Sequence, residues 1–161
     1  MLIRNATMAD LAAITEVEAR CFPAKEAATE AEFRERLEAY ADGFWLLFDN
    51  GRLVSFIDGM ATDERNLRDE MYADASLHRP DGRWQMIFGL NTLPEYRRRG
   101  YAAMLIRRLT EESRRRGRLG VVLTCKDRLV PYYASFGFEN EGLSSSTHGD
   151  AAWYQMRLTF C

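Results

Sequence analysis

The sequence predicts an α/β fold in a single domain. The chain opens with a short strand followed by helical periodicity, and a tight hairpin signal sits at Asn50-Gly51. A third observation is a strand that feeds a strongly amphipathic helix through Arg97-Arg98-Arg99-Gly100-Tyr101-Ala102. The length of 161 residues suits one domain with one core, and an apolar fraction of 47% argues against disorder.

Leu2 to Ala6 reads as the first strand, and Thr7 offers an N-cap oxygen before Leu11, Ile14, Val17 and Cys21 recur at helical spacing. Pro23 ends that helix. Thr29 caps the next, which carries Phe33, Leu37 and Tyr40 on one face and stops at Gly43. Phe44 to Asp49 and Leu53 to Met60 are two apolar strands joined by a type I′ turn at Asn50-Gly51. Thr62 to Arg83 lacks a sustained period, with weak helical character around Leu67 to Tyr72 and a turn at Pro80-Asp81-Gly82.

Trp84 to Leu93 then reads as a central strand, and Arg99 to Arg116 as a helix with Met104, Leu105 and Leu109 inward. The last third alternates strand Leu119 to Thr124, helix Leu129 to Phe136, strand Phe138 to Asn140, a polar loop through Gly149, and strand Trp153 to Phe160. No second domain, linker or repeat interrupts residues 1–161.

The net charge of −2 gives no global attraction to nucleic acid or acidic membranes, although arginines cluster at Arg97 to Arg99 and Arg114 to Arg116. No apolar run is long enough to span a bilayer, and Met1 to Asn5 lacks a signal-peptide core, so a cytoplasmic protein is expected. Cys21, Cys125 and Cys161 have no metal-ligand spacing and are expected as reduced thiols, with no metal implied.

The turn at Arg97 to Ala102 carries the chemistry. Small residues let the backbone turn closely, and free amides at a helix start converge on an anion such as a pyrophosphate. A solvated basic helix start is the plainer reading of the same six residues. The dinucleotide glycine spacing and the Gly-Lys-Ser/Thr ending of a P-loop are both missing.

These residues resemble the GCN5-related N-acetyltransferases (GNAT), whose Gln/Arg-x-x-Gly-x-Gly/Ala signature is met by Arg97, Gly100 and Ala102. More narrowly, Gly51 to Ile57, Leu77-His78-Arg79-Pro80, Tyr96 to Gly100 and Leu129 to Tyr133 with Phe136-Gly137-Phe138 resemble the arylalkylamine (serotonin) N-acetyltransferase branch. The resemblance implies a central mixed, mostly antiparallel sheet of six to seven strands, splayed between its fourth and fifth and flanked by about four helices.

It also implies acetyl-CoA as cosubstrate, with backbone groups of Leu90, Asn91 and Thr92 toward pantetheine. Arg97, Arg98, Arg99, Gly100, Tyr101, Ala102 and Ala103 would lie at the pyrophosphate. The Leu90 amide would polarise the thioester oxygen, and Tyr133 would be the acid that protonates the departing sulfur; a phenol with a pKa of about 10 can do this. Tyr132 is left to packing or cofactor contact.

The acceptor implied is a primary amine, an arylalkylamine-like small molecule on the branch resemblance. The alternatives are a peptide N-terminus, a lysine, a polyamine or an antibiotic amine, or a non-catalytic acyl-CoA-binding module. Phe22 and Pro23 fall where the family places a mobile loop over the acceptor. Asp58 interrupts an apolar strand and is a further substrate-binding candidate.

Met86 and Phe88 replace the branch's His-x-His pair, so the base is not transferable and the pocket is expected to be more apolar there. His78 is the nearest substitute and His148 a weaker one; Glu26 and Glu70 could act through water. Cys125 lacks an adjacent histidine and is not expected to be a nucleophile. A monomer or homodimer is expected.

Overall fold

The computed structural model describes all residues, 1–161. Its strands are β1 (Leu2–Arg4), β2 (Phe44–Asp49), β3 (Arg52–Asp58), β4 (Ala61–Thr62), β5 (Trp84–Ile87), β6 (Gly89–Thr92), β7 (Gly120–Cys125), β8 (Glu139–Leu143) and β9 (Tyr154–Thr159). The helices are α1 (Leu11–Cys21), α2 (Glu30–Tyr40), α3 (Glu70–Ala73), α4 (Tyr101–Arg115) and α5 (Val130–Ala134).

Local chemistry accounts for the clearest elements. Asn50 and Gly51 both take positive φ, 52° and 79°, as a type I′ turn demands, and β2 and β3 pair antiparallel on either side. At the head of α2, Thr29 accepts from the Glu32 amide while Glu32 accepts from the Thr29 amide, a reciprocal cap. Thr7 is the N-cap, but the turn is closed through its backbone: its amide donates to the Asp10 carboxylate at 2.8 Å and its carbonyl accepts from the Asp10 amide at 3.0 Å. Leu105, Ile106 and Leu109 of α4 are buried, whereas Met104 is only half-buried.

The strands form two sheets, ordered β1-β2-β3-β6 and β4-β5-β7-β9-β8. The strand expected over 84–93 is interrupted at Phe88, where it changes partner. Up to Ile87 it pairs parallel with β7, and from Gly89 it pairs antiparallel with β3. A parallel break at Gly59-Met60 separates β3 from β4.

Gly59 is required at that crossing, because a Cβ there would lie 1.8 Å from the Met86 carbonyl oxygen. Joined across the two breaks, the strands number seven. The sheet opens where β6 leaves β7, which is the splay the resemblance implied.

One core runs through both sheets. Phe33 of α2 packs edge-on against Phe44 and Phe56, with centroids 6.2 and 6.0 Å away, and Ile14, Val17 and Leu37 close the same layer. Each fully buried side chain of this size contributes about 1.5–3 kcal/mol. No helix is long and apolar enough to cross a membrane.

Candidate active site

The entrance to α4 is built to be left open. A 3₁₀ turn over Pro94–Tyr96 redirects the chain after β6, and Arg98 and Gly100 then adopt positive φ of 65° and 82°. Gly100 is the N-cap and supplies no side chain, so none of the amides from Arg98 to Ala103 has an acceptor within the chain. The side chains are turned to other work: Arg97 Nε donates to the Thr92 carbonyl at 3.0 Å, and Tyr101 Oη donates to Asp49 at 2.8 Å. Arg99 lies 4.8 Å over the Tyr96 ring, whereas Arg98 forms no contact of this kind. Six consecutive unbonded N–H groups at the positive end of a 15-residue helix form an anion cradle.

A cleft of about 230 Å³ opens at the splay, and it gathers Phe22, Pro23, Asp58, Phe88, Leu90 and Tyr133 from the expected site. The cradle residues Arg97 to Ala103 do not line it. β6 connects the two regions, since Leu90 faces the cleft and the Thr92 carbonyl receives Arg97. That carbonyl also accepts from Cys21 Sγ at 3.4 Å. Tyr133 is 8% exposed, and its phenol has no hydrogen-bond partner in the chain. Burial raises its pKa, so it is a protonated donor across the physiological range.

Sequence reasoning flagged Asp58 and Glu26 on the charged floor of this cleft and missed Glu18 and Arg36. Glu18 of α1 is 6% exposed and lines it together with Asp58, Arg36 and Glu26. Arg36 donates to Asp58 at 3.0 Å and to the Tyr72 carbonyl at 2.9 Å, with its guanidinium over the Phe33 and Phe88 rings. Burial first, and the Asp58 charge second, raise the Glu18 carboxyl to about 7. The missed signal is a carboxylate within the apolar stripe Leu11, Ile14, Val17, Cys21.

The sequence model of the Acetyltransferase (GNAT) family matches residues 11–138. The chain belongs to this family. The chain is 33% identical over 117 residues to serotonin N-acetyltransferase of Mesocricetus auratus, an overlap of 70% of this chain and 53% of that protein. The chain thus spans about half the length of the curated relatives it matches.

Among solved GNAT structures, the GphF GNAT-like decarboxylase in complex with isobutyryl-CoA superposes with a TM-score of 0.86 at 24% identity, covering 99% of both chains. The PaiA N-acetyltransferase of Thermoplasma acidophilum in complex with coenzyme A gives a TM-score of 0.73 at 14% identity, over 99% and 98% of the chains.

Several expectations for this GNAT site are corrected. Met86 is fully buried in the core and does not border the cleft, because the interruption at Phe88 breaks the alternation that would have put both residues on one face. The order of the histidines also reverses. His78 accepts from the Ala61 amide through Nδ1, packs 4.9 Å from Tyr40 and lies outside the cleft, held neutral by burial. His148 lines the cleft, stacks on Tyr72 at 5.2 Å and pairs through Nε2 with the Glu26 carbonyl.

Glu70 is exposed and paired with Arg68. The buried Asn91 side chain turns toward Glu18 and Asp58. Cys125 lines the cleft, but burial pushes its thiol up to about 11, which suits packing and not attack.

Proposed function

We propose that this protein transfers the acetyl group of acetyl-CoA to a small primary amine by direct attack within a ternary complex. One pairing carries the reading: unbonded amides at one end of β6 and a Tyr133-lined cleft at the other. The amides of Arg98 to Ala103 would hold the pyrophosphate, with Leu90 to Thr92 running alongside the pantetheine arm toward the cleft. The amine nitrogen attacks the thioester carbon, the Leu90 amide polarises its oxygen, and the Tyr133 phenol gives its proton to the leaving sulfur.

Kinship with serotonin N-acetyltransferase supports an arylalkylamine acceptor, as does the apolar wall formed by Phe22, Leu90 and Phe88. The test is thiol release from acetyl-CoA across a panel of arylalkylamines, polyamines, lysine peptides and peptide N-termini. Thiol release with none of them, despite tight acetyl-CoA binding, would indicate a binding module instead.

A second reading is loss of CO2 from a carboxylated acyl-CoA. Lys126 and Arg128 line the same cleft; Lys126 is paired with Glu26 at 2.8 Å, whereas Arg128 has no carboxylate partner in the chain and could hold a substrate carboxylate. The likeness to a GNAT-like decarboxylase adds to it. Release of CO2 from malonyl-CoA without any amine separates this reading from the first.

A further inference from the structure

Three buried side chains converge beside Gly89 with polar atoms that no well-formed hydrogen bond satisfies. A Cβ placed on Gly89 would stand 3.3 Å from Asn91 Nδ2, 3.3 Å from Asp58 Oδ1 and 3.6 Å from Glu18 Oε1. None of the three atoms makes a well-formed hydrogen bond, although the Asn91 amide lies close enough to the Glu18 carboxylate to hold its pKa down, and their residues are 1%, 1% and 6% exposed. The other oxygens are occupied: Glu18 Oε2 accepts from the Ala28 amide at 2.8 Å, and Asp58 Oδ2 accepts from Arg36. Glu18, Asp58 and Gly89 all line the cleft. Unpartnered buried oxygens are costly, so a gap with two of them aimed at it is shaped for a donor that comes from outside.

Charge specifies that donor. Glu18 on α1 and Asp58 on β3 face a single cation, Arg36 on α2. Asn91 on β6 and the Ala28 amide are neutral, and Cys21 on the same helix is a thiol held protonated by burial. With both carboxylates ionised the cluster carries one uncompensated negative charge out of water, a state that calls for a proton or a cation.

We infer that the gap beside Gly89 seats the ammonium head of the acceptor, with Glu18 taking its proton and Asp58 acting as the positioning residue that shares the cation. This rests on the acetyl-transfer reading and adds the group that reading lacks, a base. The acceptors selected are alkyl primary amines, because an ammonium offers three donors on a compact head, whereas an aniline is uncharged at neutral pH.

The protons balance. The ammonium gives one proton to Glu18 Oε1, and its lone pair then forms the C–N bond. The C–S bond breaks and the sulfur takes the Tyr133 proton. The second nitrogen proton returns to the Tyr133 phenolate, while the proton on Glu18 leaves to solvent. A carboxyl that titrates at about 7 is matched to that role.

The experiment measures kcat/KM against pH for 2-phenylethylamine with saturating acetyl-CoA, alongside calorimetric binding of 2-phenylethylammonium to the CoA-loaded protein. Wild type should show an acid limb near pH 7. Glu18→Gln should lose about 10²–10⁴-fold in kcat/KM and flatten that limb. Asp58→Asn should move the limb to lower pH, a shift that a purely structural loss would not produce. Gly89→Ala, whose methyl fills the gap, should lose amine binding and retain CoA binding, and it serves if Asp58→Asn fails to fold.

Glu18→Gln with unchanged kcat/KM and limb, or Gly89→Ala with undiminished amine binding, overturns the inference. If wild type binds the ammonium and both Glu18→Gln and Gly89→Ala abolish that binding, the seat stands even where no thiol is released. Acetyl transfer alone is then refuted.

Discussion

Gly100 and Gly117 form a matched pair for testing the cradle. Both hold left-handed backbone, φ 82° and 78°, and in both a Cβ would meet nothing within 4 Å. One stands at the open entrance of α4 and the other just past its far end. Replacing either by alanine therefore costs only the left-handed strain, about 1–2 kcal/mol.

For a chain of this size that lowers Tm by about 2–8 °C, and by a similar amount in both variants. CoA at a hundredfold its Kd adds about 2.7 kcal/mol to wild type by mass action, and Gly117→Ala should gain the same. Gly100→Ala should lose most of this gain, because its methyl occupies the space that a diphosphate needs in order to reach the amides. Differential scanning calorimetry with and without CoA reads both quantities. Equal CoA shifts in the two variants would refute the placement of the diphosphate.

Three further outcomes follow from the cleft. Tyr133→Phe should lower kcat by about 10²-fold or more while leaving the Kd for acetyl-CoA unchanged, checked by rapid quench and calorimetry. Arg36→Met strands the Asp58 carboxylate in the interior and should cost about 3–5 kcal/mol in urea unfolding. The Glu18 carboxyl titrates at about 7 in the fold against 4.5 for the free group, so the native state binds the extra proton and stability falls as pH rises through that window. Glu18→Gln should remove this slope and gain at most about 3 kcal/mol over wild type at pH 8, as read from denaturation midpoints at a series of pH values.

Local rules made the hairpin, the amphipathic α4 and the phosphate-type turn legible, because each depends on residues adjacent in the chain. The Asn50-Gly51 turn and the close turn through Gly100 needed no tertiary information, although α4 starts at Tyr101 with Gly100 as its N-cap and not at Arg99 as expected. The strand break at Phe88 was hidden, since strand-like residues continue on both sides of Gly89 from Trp84 to Leu93 and only the exchange of partner from β7 to β3 interrupts the run.

Asp58 stood out as a charge in an apolar strand, and the same logic applied to Glu18 and Arg36 would have flagged them, one on each of two helical stripes. Their meeting depends on how α1, α2 and β3 pack. His148 was undervalued for a similar reason: it reaches the cleft through a fold-back of the loop after β8, a long-range event with no local signature.

The partner exchange at Phe88 and the matching break at Gly59-Met60 leave the two sheets joined at two neighbouring backbone crossings beside the cleft, a narrow line between the halves of the protein. A molecule wedged there touches α1 and β6 on one side and β7 and α5 on the other, and acts as a clamp. Amide hydrogen exchange should therefore slow on both flanks at once when acetyl-CoA binds, including in β9, which the ligand would never touch.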